Sequence, residues 1–150
     1  MLRQARHHGL VANQWRFHLS HDPASRTTLV PDIAFVARER LEGLTEDAIA
    51  VPDFAPDIAV EIRSPGDREV DVAEKIALYL KYGSTLVLDV DLASSSIAAH
   101  TREGTKMLPG AREILAPRSS LALVRSLSAL PEVTSPQFRE VQRARSFVQV

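Results

Sequence analysis

Apolar residues along this chain change their spacing several times, and each change marks a candidate element. Residues 2–19 scatter Leu2, Leu10, Val11, Trp15, Phe17 and Leu19 among polar positions, a pattern that predicts a loosely amphipathic helix. "SHDPASR", residues 20–26, reads as a turn, and "TLVPDIAFVA", residues 28–37, as a buried strand with Pro31 inside it. Proline has no N–H for a ladder hydrogen bond, so a bulge, an edge or a strand start is expected there. "RERLEGLTEDAIAVPDFA" then reads as a polar connection with room for a helical turn. A second strand, "DIAVEIR" at 57–63, stops at the turn "SPGD".

A helix over 71–82 follows, with Asp71 as N-cap and Glu74 three residues later as its capping-box partner. Val72, Ala73, Ile76, Tyr79 and Leu80 share its apolar face, and Gly83 can close it in a left-handed conformation. "STLVLDVD", 84–91, is uniformly apolar in the middle and predicts a central strand. "SSIAAHT", 95–101, and "TKMLP", 105–109, predict a hairpin around "REG". The remainder, through "SSLALVRSLSALPEV", carries little pattern, and residues from 126 onward read as a peripheral tail. This order of elements predicts a single α/β domain over 1–150, a mixed β-sheet with helices packed on it.

Composition narrows the class without choosing a partner. At 150 residues, 45% hydrophobic and 25% charged, the chain has the size and balance of one globular domain. Lys and Arg (18) nearly offset Asp and Glu (19), so net charge gives no sign of nucleic acid. Local clusters still could, since Arg38, Arg40, Arg63 and Arg68 flank two Pro-Asp motifs and Arg139, Arg143 and Arg145 stand near the end. Absence of cysteine excludes disulfides and thiolate metal sites and suits a cytoplasmic protein. No apolar run approaches the ~20 residues of a membrane span. The basic start, "MLRQARHHGLVANQWRFHLS", lacks the apolar core of a signal peptide.

The chemistry centres on Glu61, a carboxylate between Val60 and Ile62 in mid-strand. Alternation puts Asp57, Ala59, Glu61 and Arg63 on one face and Ile58, Val60 and Ile62 on the other. If the second face meets the core, the first opens onto a cleft or water. One reading is a solvated face with a Glu61–Arg63 ion pair; the other is a functional carboxylate that needs a second acid. Asp57 is four residues away, about 13 Å at ~3.3 Å per residue, too far to share one cation. Asp32 can approach if its strand pairs beside the second, which makes Asp32 and Glu61 the better metal pair and Asp57 a residue that opens its strand. Lys75, at the border of the helix's apolar stripe beside Val72, Tyr79 and Tyr82, is an ordinary boundary lysine or one that snorkels toward the carboxylates. Two carboxylates and an ammonium would hold a hard cation and offset the charge of a phosphodiester transition state.

"VPDIAFV", "APDIAVEIRSPGDR", "EKIALYLKYG" and "LVLDVD", in that order over residues 7 to 110, resemble the Uma-two family of small endonucleases, within the PD-(D/E)xK restriction-endonuclease-like superfamily. The resemblance implies a restriction-endonuclease-like fold, with Asp32 and Glu61 as ligands of Mg2+ or Mn2+ and Lys75 completing the catalytic set. Arg63 stands where the superfamily pattern places a lysine; Arg stays charged, so the resemblance leaves that role to Lys75. It further implies a shortened N-terminal part, a match of His7 or His8 to a common histidine, and a homodimer. Trp15 and Phe17 read as core or dimer contacts rather than base-stacking residues.

The leading expectation is therefore a Mg-dependent DNA endonuclease that cuts phosphodiester bonds with activated water. The alternative is a remnant of the fold that serves as a binding or dimerisation module. A plain α/β domain for a small ligand has little in its favour, because no GxGxxG-type phosphate loop occurs.

Overall fold

The computed structural model describes residues 3–5, 9–20, 22 and 27–108. They form a mixed sheet with a short two-stranded ribbon and three helices around it. In chain order the strands begin with β1 (Arg3–Ala5), β2 (Gly9–Asn13), β3 (Phe17–His18), β4 (Thr28–Leu29) and β5 (Ile33–Ala37). Helices α1 (Arg38–Leu41) and α2 (Glu46–Ala50) precede β6 (Ile58–Arg63), and α3 (Glu69–Lys81) precedes β7 (Leu86–Asp91). The hairpin β8 (Ser96–Thr101) and β9 (Gly104–Met107) completes the order. The seven-stranded sheet runs β1-β2-β5-β6-β7-β8-β9, and β3 pairs with β4 separately.

Among these neighbours only β6 and β7 run parallel, and they are joined through α3. A parallel pair needs such a crossover, and the crossover helix covers the sheet. One face carries Ile33, Phe35, Ile58, Val60, Leu86, Leu88, Val90 and Ile97. The opposite face carries Ala34, Val36, Ala59 and Val87, packed with Val72, Ile76 and Tyr79 of α3 and with Trp15, Phe17 and Leu19. Both faces of β6 are thus covered, so the Glu61 side does not open freely onto water.

The helix expected over 2–19 is not there. Its described residues form β1, β2 and β3. Trp15, Phe17 and Leu19 are buried while Arg16 is exposed, a period of two that a helical reading overlooks. Gly9 adds a backbone reason. At φ +153° it lets β2 approach β5 so closely that a Cβ would lie 2.1 Å from the Val36 carbonyl oxygen.

The expected strand over 28–37 is divided around Pro31 into β4 and β5, as a missing donor requires. Helix α3 starts two residues before Asp71, which serves in the first turn and accepts from Arg68 Nε and Nη2 at 2.8 and 2.7 Å instead of capping. Gly83, at φ +116°, closes it: Gly83 N–H reaches the Leu80 carbonyl and Ser84 N–H that of Tyr79, a Schellman arrangement. Strand β7 lies between β6 and β8, and the β8–β9 hairpin turns at Arg102 and Glu103. His7, His8, the segment at 119–133, the tail and Arg139, Arg143 and Arg145 lie outside the described residues.

Candidate active site

Because Pro31 ends one pairing and β5 starts at Ile33, Asp32 stands at the mouth of the strand. Ile33 pairs with Val60, Ala34 with Ala59 and Phe35 with Ile58. Extending this antiparallel register by one step sets Asp32 across from Glu61. Ile33 and Val60 belong to the face away from α3, so alternation turns Asp32 and Glu61 to the face on which α3 packs. The Asp32 carboxylate lies over β6, where its Oδ2 accepts the Ile62 N–H at 2.7 Å.

Glu61 is buried, with 7% of its surface exposed. Both of its oxygens have partners on α3, one helical turn apart. Lys75 Nζ stands 3.2 Å from Oε2, and Tyr79 Oη donates to Oε1 at 2.9 Å. Burial raises the Glu61 carboxyl above its ordinary pKa; the Tyr79 hydrogen bond and the Lys75 charge oppose that rise, and the Asp32 charge adds to it. Burial, and then the Glu61 charge, push the Tyr79 phenol far above its usual range, so it remains a donor. Lys75 is half exposed and can turn its ammonium toward solvent or an incoming anion.

Arg63 does not pair with Glu61. It forms a two-pronged ion pair with Asp89 on β7, Nε to Oδ1 at 2.8 Å and Nη2 to Oδ2 at 2.6 Å. Asp89 is the register partner of Glu61 in the parallel pair and is itself buried. Behind it, His100 Nε2 lies 3.9 Å from Asp89 Oδ2 without a hydrogen bond, while Nδ1 meets Thr105 Oγ1 at 2.9 Å. Burial lowers the His100 pKa, against the raising effect of Asp89.

The aspartate of the second Pro-Asp motif has a structural task. Asp57 Oδ2 accepts the Ala37 N–H and Oδ1 accepts Arg40 Nη1, each at 2.8 Å, which ties the start of β6 to the end of β5. The structure thus brings Asp32, Glu61 and Lys75 together and leaves Asp57 elsewhere. Sequence reasoning read Tyr79 only as part of an apolar stripe; its signal was the spacing of four from Lys75, which puts both on one helix face. The role of Asp89 as the partner of Arg63 was also missed, since it depends on the β6–β7 register. Trp15 and Phe17 are core residues, with ring centroids 5.0 Å apart and Trp15 Nε1 donating to the Ile49 carbonyl at 2.9 Å.

The profile of the Uma2 family, described as "Putative restriction endonuclease", matches residues 1–131. This chain belongs to the Uma2 family. Its fold is similar to the crystal structure of a protein from Anabaena variabilis described as "a putative nuclease belonging to DUF820", with a TM-score of 0.56 and 21% identity. That similarity covers 65% of this Uma2 chain and 53% of the neighbour, so the chain spans about half the neighbour's length. No curated protein matches the chain. The restriction-endonuclease-like α/β fold read from the sequence agrees with both findings.

The described residues of this Uma2 protein contain no group of three or more His, Cys, Asp or Glu side chains able to hold a metal. They also contain no helix long and apolar enough to cross a membrane.

Proposed function

We propose that this protein is a metal-dependent DNA endonuclease that hydrolyses phosphodiester bonds with water. The observation that supports it most is the placement of Asp32 and Glu61 on one sheet face with Lys75 at the Glu61 carboxylate.

The donor set suits a hard cation of the Mg2+ or Mn2+ type. Two carboxylates are too few for an all-protein cage, yet Mg2+ retains several waters and is usually held by one or two carboxylates together with substrate phosphates. Burial raises the Glu61 pKa and the Asp32 charge adds a smaller rise, so a cation held by both carboxylates would offset their repulsion. When bound, such a cation supplies Lewis acidity toward the phosphoryl oxygens and eases deprotonation of water.

The chain's own groups have separable tasks. Asp32 is oriented by the Ile62 N–H, and Glu61 by Tyr79 and Lys75. Lys75 brings a mobile positive charge to the open side of the site, where it can offset the charge that grows on a phosphate in the transition state. Arg63 is excluded from that task because Asp89 holds its guanidinium.

DNA is the proposed substrate, and a homodimer would bring two such sites to the two strands of a duplex. Plasmid nicking in Mg2+ is the test. Nicking by the wild type with loss in Asp32→Asn and Glu61→Ala supports the reading, and equal activity in wild type and Glu61→Ala contradicts it. A chain that neither nicks DNA nor binds Mn2+ would instead fit a non-catalytic binding or dimerisation module.

A further inference from the structure

We infer that Tyr79 is a positioning residue that clamps Glu61 through Oε1, so that the carboxylate offers a cation one oxygen only, Oε2. The inference rests on the metal reading above and adds a residue and a coordination mode to it.

The two partners of Glu61 differ in how easily they can leave. Tyr79 is 0% exposed and packs in the same cluster as Val72 and Ile76. A buried phenol that loses its acceptor is left with an unsatisfied O–H, so the Tyr79–Glu61 contact is held by the packing around the ring. The Lys75 side chain is 47% exposed, on a flexible stem. Lys75 can therefore leave Oε2, which would be the oxygen offered to a cation, while Tyr79 stays on Oε1. Two consequences follow from one geometry. Glu61 binds through a single oxygen, and the ammonium released from it is free to meet a phosphate.

The two partners should accordingly have opposite effects on metal affinity. Tyr79 supports the ligand, whereas Lys75 competes with the cation for Oε2. A side chain that matters only for packing would not produce this difference in sign.

Mn2+ titration calorimetry on wild type, Glu61→Gln, Tyr79→Phe and Lys75→Met tests the inference. The expected result is loss of the site in Glu61→Gln and affinity weaker by about 10–100-fold in Tyr79→Phe, the range for groups that orient a ligand. Lys75→Met should bind more tightly than wild type, and equal or weaker binding overturns the competition for Oε2. Unchanged affinity in Tyr79→Phe, with the site lost in Glu61→Gln, overturns the clamp while the metal reading stands. Absence of Mn2+ binding by the wild type overturns both.

Should Tyr79→Phe not fold, Tyr82→Phe gives a second readout, since the chain has two tyrosines and Tyr79 then remains alone. Its ring carbon bearing the hydroxyl, labelled with 13C, should shift on addition of Mg2+ and stay fixed when Glu61→Gln is added. A resonance unmoved at saturating Mg2+ overturns the clamp.

Discussion

Asp89→Asn should destabilise the protein strongly although the side chain barely changes size. Asp89 is 5% exposed and receives two charge-assisted hydrogen bonds from Arg63, at 2.8 and 2.6 Å. Asparagine removes the charge and turns an N–H2 group toward one of those donors. Removal of one partner of a buried ion pair costs about 3–5 kcal/mol. Arg63 retains 29% side-chain exposure and can rotate partly into water, which relieves some of that penalty. The expected loss is about 2–3 kcal/mol, allowing for that partial relief. Urea denaturation at neutral pH measures it as a lower midpoint with an unchanged slope. Replacement of both partners, Arg63→Met with Asp89→Leu, should recover much of the loss because no charge is then left unpaired. A loss in Asp89→Asn below about 0.5 kcal/mol, the size of an ordinary surface substitution, would refute the claim that this pair locks Arg63 away from Glu61.

Three further outcomes follow from the same geometry. Burial raises the folded-state pKa of Glu61 above the unfolded value of 4.5, so its contribution to stability is present below that value and lost as pH rises through the folded pKa. Glu61→Gln keeps an oxygen for Tyr79 and should raise stability at neutral pH by about 1 kcal/mol, with the gain vanishing on acidification in pH-dependent urea melts, while nicking is lost. His100 has the opposite sign: burial lowers its folded pKa below 6.5, so its stability contribution is present above that pH and lost as pH falls, and His100→Gln should flatten the acid decline seen by circular dichroism. Gly9→Ala would place a Cβ 2.1 Å from the Val36 oxygen at a φ that L-residues rarely adopt, and thermal melts should show a loss of at least about 2 kcal/mol.

How much could be read beforehand depended on whether a signal was local. The strands with Ile58–Arg63 and Leu86–Asp91, the helix between them and the final hairpin follow from runs of apolar residues bounded by Gly, Pro and turn residues. The first residues misled because Trp15, Phe17 and Leu19 alternate over too short a stretch to outweigh a helical reading, and because Gly9 takes its meaning from β5, far along the chain. In the candidate site, the neighbouring placement of Asp32 and Glu61 could be anticipated, since a proline at the mouth of one strand and a charge amid aliphatic residues are unusual locally. Asp89 was not, because its partnership with Arg63 exists only in the parallel β6–β7 register. Tyr79 was hidden for a different reason: an amphipathic side chain counts as apolar in any pattern, and its hydroxyl matters only once α3 is laid over β6.

Crystals grown with Mn2+ and measured for anomalous scattering test the central claim most directly. The account predicts one strong peak within about 2.0–2.6 Å of an Asp32 carboxylate oxygen and of Glu61 Oε2, with Tyr79 still on Oε1. Mn2+ bound in the crystal away from both carboxylates, with Lys75 still seated on Glu61, would contradict it.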